Sequence, residues 1–444
     1  ALVRTAPEAW SIVDLAPGAD AAKGKLNLDA AEVRVEPRTE WPQIFDEAWR
    51  INRDYFYDPN MHGADWPAMK KKYAEFLPHL ASSTDLYRVL SWMLGELSVS
   101  HSRVRPGDRA WEPKAGIGGG LLGADYEVAN GRYRFRKVYG GVAWWPELRA
   151  PLAAPGVDVK AGEYLLAVRG VDLRPPVDVY APFANTGDES VEITVGPNPD
   201  GSGSRTVTVE PLATLEAELE LRGVDWVESN RRKVEKATGG RVAYVYLPDT
   251  WERGYAYFTR YFYSQLDKDA VILDERYNGG GAWADYYLDH LRRPFSSYWA
   301  MRHGADFRSP SAAIHGPKVM LINEQAGSGG DGLPWMFRQS KLGTLVGKRT
   351  WGGEVGTLDY PRLLDGGGVT APDFALWSPE GGWVVENEGV APDVEVEQWP
   401  RDLLAGRDPQ LEKAIEIVLE ELKKNPPVKP QRPPYPVRVR RGSR

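Results

Sequence analysis

Residues 319–332, Val-Met-Leu-Ile-Asn-Glu-Gln-Ala-Gly-Ser-Gly-Gly-Asp-Gly, constrain this chain more than any other stretch. A short apolar run ends, a serine follows between glycines, and an amphipathic segment, Leu333 to Leu342, comes next. That order predicts strand, tight turn, helix. The turn sets Ser328 at a helix N-terminus with no bulky neighbour over its oxygen. Backbone N–H groups there lack intrahelical partners and favour a developing negative charge. Ser328 is therefore a candidate nucleophile. A phosphate-binding loop is the rival reading, but the Gly-Lys-Ser/Thr ending it needs is absent.

A strand–turn–helix unit implies neighbours of the same kind. From Arg241 onward strand-like and helix-like runs alternate: Val242–Leu247, Tyr255–Leu266, Ala270–Asp274, Ala282–Leu291, Val319–Asn323 and Leu333–Leu342. This predicts an α/β layer with a mostly parallel sheet. Upstream, 1–38 is strand-like with turns at Pro17-Gly18 and near Gly24, 40–100 is helical, and 107–211 consists of short alternating runs between Gly, Pro, Asn and Asp. In the helical part, Pro42 suits a first turn and Ser83 or Asp85 a cap. Leu212 to Lys236 predicts a charged helical connector and Gln410 to Lys424 a long helix. The tail Pro426–Arg444 is Pro- and Arg-rich. The domains expected are 1–38, 39–106, 107–211 and 212–425, followed by the tail 426–444.

Composition narrows the chemistry. The 444 residues include no cysteine, which excludes disulfides, thiolate metal sites and a cysteine nucleophile. A net charge of −7 with no basic face evident from composition argues against a nucleic-acid partner. No apolar run approaches the roughly 20 residues that span a bilayer, and the first residues carry no signal-peptide pattern. The expectation is a cytoplasmic protein with no membrane partner. The opening Ala-Leu-Val-Arg-Thr, without methionine, reads as part of something longer.

In α/β sheets, ligands sit beyond the carboxyl ends of strands. Two such ends carry glycine-rich turns, one ending in Asn278-Gly-Gly-Gly281 and one holding Ser328. One N–H from each, Gly281 and Gly329, can form an oxyanion hole. Tight strand-to-helix packing explains glycines equally well at either turn alone. A serine nucleophile needs a base. Of the six histidines, His62, His303 and His315 read as loop residues, His79 as a helix end and His290 as a solvated helix face. His101 differs by its place between the helical stretch and the β-rich one.

Together, Ser-Val-Ser100-His101-Ser, Tyr-Asn-Gly-Gly-Gly281, Asn323-Glu-Gln-Ala-Gly-Ser328-Gly-Gly-Asp, Gly347-Lys-Arg-Thr-Trp-Gly-Gly and Glu386-Asn-Glu-Gly-Val-Ala-Pro-Asp resemble the tricorn protease family. The resemblance runs from about residue 25 onward. It implies a helical subdomain, an inserted PDZ-like domain and a ClpP/crotonase-like α/β peptidase domain, with β-propellers upstream of residue 1. It implies Ser328 as nucleophile, His101 as general base, Ser100 orienting the imidazole, and Glu386 completing the relay. It further implies Gly281 and Gly329 as oxyanion donors, peptide substrates and a homohexamer. No cofactor and no metal are called for.

Departures matter as much. Gly329 stands where archaeal members carry an aspartate; the N–H survives. In the related carboxyl-terminal processing peptidases a lysine is the base. Gly353 fills that slot here and Lys348 is out of register, which favours histidine. Counting from Gly281 puts Trp299 where the family has an aspartate that favours basic side chains, so a shift toward apolar or aromatic ones is expected. The segment Lys114–Gly123 reads either as a carboxylate-binding loop or as part of a scaffold, with the scaffold favoured.

Overall fold

Helix formation begins where apolar residues recur at helical spacing. In the computed structural model, which describes all residues except 7–8, 19, 21, 29–31, 33, 108–117, 143, 146–147, 359, 428–430 and 440–444 and only the backbone of 5 and 6, the first helix is Pro37–Tyr55. Trp41, Ile44, Phe45, Ala48 and Ile51 form its buried stripe. It starts earlier than expected: Pro37 occupies the first turn, where its missing N–H costs nothing, and Pro42 lies inside. Trp66–Ala74 and Ser83–Gly95 follow. The cap of the latter is Ser82, one residue before the expected Ser83. Its hydroxyl accepts from Asp85 N–H while the Asp85 carboxylate accepts from Ser82 N–H.

The chain divides into two compact units. One comprises Ala1–Leu97, Arg103–Arg109 and Asp359–Ala371; the other comprises Ser98–Ser102, Ala110–Leu358 and Pro372–Arg444. The first holds the three helices and an N-terminal hairpin, Leu2–Ala6 against Ala9–Ile12. Its two later segments pair through Val104–Arg105 and Gly368–Val369, and Tyr87 donates to the Asp365 carboxylate at 2.6 Å.

Two cores build the second unit. The smaller lies under a six-stranded antiparallel sheet running from Ala124–Ala129 to Arg205–Val209, filled by Phe135, Leu165, Val191 and Ile193. The larger surrounds a parallel sheet in the order Val242–Tyr246, Ala270–Asp274, Lys318–Ile322, Thr344–Gly347, Val394–Glu395. The first four strands lie in chain order. Right-handed crossovers therefore put the intervening helices, Glu252–Tyr263, Ala284–Leu291 and Gly329–Gln339, on one face. Leu215–Thr238 and Pro409–Lys424 pack together across the other. Strands buried on both faces read as continuous apolar runs, as in Ala-Val-Ile-Leu-Asp274.

The turn that ends this strand is pinned by charge. Arg276, almost wholly buried, forms paired hydrogen bonds with Asp274 at 2.9 and 2.7 Å and with Asp408 at 2.9 and 3.0 Å. Asp408 also caps the Pro409–Lys424 helix by accepting from Leu411 N–H. Desolvation costs of this magnitude are tolerated only when every hydrogen bond is made. The network thus fixes where the glycines after Tyr277 begin.

Candidate active site

The Lys318–Ile322 strand ends in the core, and Asn323–Gly327 turns the chain into the Gly329–Gln339 helix. Ser328 is the N-cap with φ 57° and ψ −123°. A side chain there costs on the order of 1–3 kcal/mol, and such strain persists only where surroundings enforce it. Asp331 enforces it. Its buried carboxylate accepts from Ser328 N–H at 3.0 Å, Gly352 N–H at 2.8 Å and Gly353 N–H at 3.0 Å. Burial raises the Asp331 pKa, and these hydrogen bonds oppose that rise. Asp331 is a residue that the motifs around Ser328 leave without a role, although its spacing three residues after Ser328 is a capping signal.

The second glycine turn approaches the first closely. A Cβ on Gly329 would lie 2.1 Å from Thr250 Oγ1, 2.3 Å from Gly281 O and 2.8 Å from Gly281 N. Gly281 has φ 132°, and its own Cβ would lie 2.6 Å from the Thr250 carbonyl carbon. An aspartate at 329 has no room here. The N–H groups of Gly281 and Gly329 donate to no acceptor among the described residues. Thr250, buried with its hydroxyl unpaired among the described residues, sits behind the two donors. Nothing local in the sequence marks it.

Ser98–Ser102 groups with the peptidase sheet rather than with the helices that precede it. Asn387 holds this segment, donating from Nδ2 to Ser98 O at 2.9 Å. Glu386 then accepts four hydrogen bonds: Ser100 N–H at 2.7 Å, Ser100 Oγ–H at 3.1 Å, Glu354 N–H at 2.7 Å and Val355 N–H at 2.9 Å. Ser100 Oγ lies 3.1 Å from His101 Nδ1. The imidazole meets the Trp351 ring edge-on at 5.6 Å. Trp351 in turn covers Gly327, whose Cβ position is 2.6 Å from the indole. His101 and the residue before Ser328 therefore contact the same indole.

Trp299 does not join this cluster. It lies on an exposed hairpin, Ser297–Trp299 against Phe307–Ser309, with its ring stacked on Phe307. Lys348 is also elsewhere engaged. Hydrogen bonds to Glu395 (2.6 Å) and Glu397 (3.0 Å) push its pKa up to about 12, the opposite of what a general base needs. Gly353, in the lysine slot, has its Cβ position 2.2 Å from the Trp351 ring, so a side chain there would have to displace the indole. His290 is buried, not on a solvated face. Its Nδ1 lies 2.9 Å from Tyr286 O, and its Nε2 lies 2.8 Å from Tyr263 Oη. Of the segment 114–123, residues 114–117 lie outside the described residues. Gly118 N–H donates to Asn185 Oδ1 at 2.7 Å.

Two further acids lie under the site. Glu275 is fully buried with neither carboxylate oxygen paired among the described residues. Burial, and then the charges of Asp331 and Asp274, raise its pKa well above the usual range. Glu354 keeps some surface, but its Oε2 is buried without a partner; burial, then Asp331 and Glu386, push its pKa up to about 9. The folded state therefore retains a proton that the unfolded chain releases above its ordinary value of 4.5. Stability contributed this way is fully present below that value and falls as pH rises toward 9. Glu354→Gln is expected to raise the thermal midpoint by a few degrees at pH 8, roughly 2–4 °C per kcal/mol recovered. The gain should vanish near pH 4. Thermal melts of both proteins across this range check it; an equal gain at pH 4 contradicts it.

A parallel sheet with a strained serine at a strand-to-helix turn, unpaired amides beside it and a carboxylate–hydroxyl–imidazole chain nearby has the architecture of a serine hydrolase. Family models place it more narrowly. The tricorn protease C1 domain matches residues 37–95, the tricorn protease PDZ domain 120–214, and peptidase family S41 241–396. Tricorn protease homolog 1 of Streptomyces coelicolor is 37% identical over 415 residues, covering 93% of this chain and 38% of the relative. Tricorn protease of Thermoplasma acidophilum is 31% identical, covering 89% and 36%. A crystal structure of the tricorn protease superposes with a TM-score of 0.84 at 30% identity, over 90% of this chain and 38% of that one. The chain belongs to the tricorn protease family, with a peptidase domain of the S41 type. It spans well under half the length of these relatives. Among the described residues, no helix is long and apolar enough to cross a membrane.

Proposed function

We propose that this chain is a serine endopeptidase that cleaves oligopeptides through an acyl-enzyme on Ser328. Ser328 Oγ attacks the scissile carbonyl while His101 Nε2 takes its proton. Gly281 and Gly329 N–H donate to the oxyanion. The C–N bond breaks as His101 returns the proton to the leaving amine, and water, activated by the same imidazole, releases the acid product. Glu386, acting through Ser100, holds the tautomer with the proton on Nδ1 and stabilises the imidazolium that forms.

The observation carrying this reading is the Glu386–Ser100–His101 chain, with 3.1 Å at both links. A carboxylate that accepts four hydrogen bonds is built to orient something, and the imidazole is what it reaches. Family resemblance alone supports a cytoplasmic homohexamer as the working assembly. Hydrolysis of end-blocked peptides three to ten residues long by the full assembly tests the proposal. Activity that disappears in Ser328→Ala supports it; activity unchanged by that substitution removes it.

A further inference from the structure

A second site lies away from these residues. At the amino-terminal edge of the parallel sheet, where Ala270, Lys318 and Thr344 begin their strands, there is a cleft of about 710 Å³. Ser328 follows the carboxyl end of the same Lys318 strand, so the cleft and the serine lie at opposite ends of the sheet. The size suits a small organic ligand.

Its walls combine an aromatic surface with uncompensated positive charge. Phe295 packs on Tyr298 at 4.8 Å and meets the His315 ring edge-on at 5.5 Å. Arg308, opposite Tyr298 in the hairpin, has no carboxylate partner among the described residues. Neither has Lys318, whose ammonium donates only to Gly316 O at 3.0 Å. His315 Nδ1 lies 3.2 Å from Arg293 O, which places the imidazole proton on that nitrogen. The two acids that also line the cleft are engaged with cations: Asp269 with Arg241 at 2.9 Å and Glu421 with Lys424 at 2.7 Å. Cations lowered into a partly apolar cleft without counter-charge are costly. An anion supplies the missing counter-charge.

We propose that this cleft binds a carboxylate carrying a flat apolar group, its oxygens on Arg308 and Lys318 and its apolar part on Phe295 and Tyr298. A singly charged carboxylate fits better than a phosphate dianion because Asp269 and Glu421 face the same space. The source is a free aromatic acid or the C-terminal residue of a peptide. The inference is independent of the peptidase reading.

Titration calorimetry on the whole 444-residue chain with N-acetylphenylalanine, its amide and inorganic phosphate tests it. Expected are one saturable site per chain for the acid, binding at least tenfold weaker for the amide and for phosphate, and at least tenfold weaker acid binding in Arg308→Gln and in Lys318→Gln. Arg308 sits on a surface hairpin, so that variant stays informative if Lys318→Gln does not fold. Tighter binding of acetyl-Ala-Ala-Phe acid assigns the peptide terminus as source; equal binding assigns the free acid. No saturable binding, equal binding of acid and amide, phosphate binding as tightly as the acid, or unchanged binding in Arg308→Gln overturns the proposal.

Discussion

His101→Ala is expected to lower kcat for peptide hydrolysis at least about 10³-fold, with KM and the thermal midpoint close to wild type. The expectation rests on what the imidazole touches. Its Nδ1 side meets Ser100 Oγ, itself held by Glu386, and its ring leans on Trp351. Removing it leaves Glu386 with all four of its donors, since none comes from His101. No buried charge is stranded, so folding should be spared. Residues that act as a unit are strongly non-additive. Adding Glu386→Gln to His101→Ala should therefore cost little more activity, whereas Glu386→Gln alone should already be costly. Steady-state kinetics on the three variants checks this. A His101→Ala enzyme within tenfold of wild type would remove histidine as base.

Gly329→Ala is expected to damage activity and fold together. The added methyl would sit 2.1 Å from Thr250 Oγ1 and 2.3 Å from Gly281 O. Thr250 is buried and Gly281 O is backbone, so neither moves freely. The two turns must part, and they carry the two unpaired amides. Losing one oxyanion donor typically costs about 10²–10³ in kcat, and overpacking a tight contact about 1–3 kcal/mol. The combined loss in kcat should exceed about 10²-fold, with a lowered thermal midpoint. Replacing Thr250 by Gly in the same chain removes the shortest of the three close contacts and should restore part of the stability. A Gly329→Ala protein of wild-type stability and activity would show that the turns do not pack as described.

The Ser328 turn was legible because change of period and change of residue type coincide there. An apolar run stops, glycines intervene and helical spacing resumes. The parallel sheet was legible for a related reason: strands buried on both faces, such as Ala270–Asp274, cannot hide their composition. The base was not legible from residues alone. Six histidines look alike until something places Ser100 and His101 against Glu386, 286 residues from Ser100. Only the ordered set of motifs singled out His101. Thr250 and Glu354 escaped because their importance lies in long-range contacts, and Asp331 because its local capping signal says nothing of Gly352 and Gly353, which it also holds. The strand Ala124–Ala129 escaped although its signal was present. Asn130-Gly131, both with positive φ, is a strong hairpin turn, and it joins that strand to Arg132–Val138, whose alternating run Tyr133–Val138 is plain in the sequence. The Ser297–Trp299 hairpin is short, exposed and without clean alternation.

The central claim is that Ser328 is the nucleophile. Treating the assembled protein with a fluorophosphonate probe, followed by peptide mapping in the mass spectrometer, tests it most directly. The prediction is one adduct per chain on Ser328, absent in Ser328→Ala and formed much more slowly in His101→Ala. No adduct on an assembled protein that hydrolyses peptides, or an adduct on another residue that persists in Ser328→Ala, would contradict it.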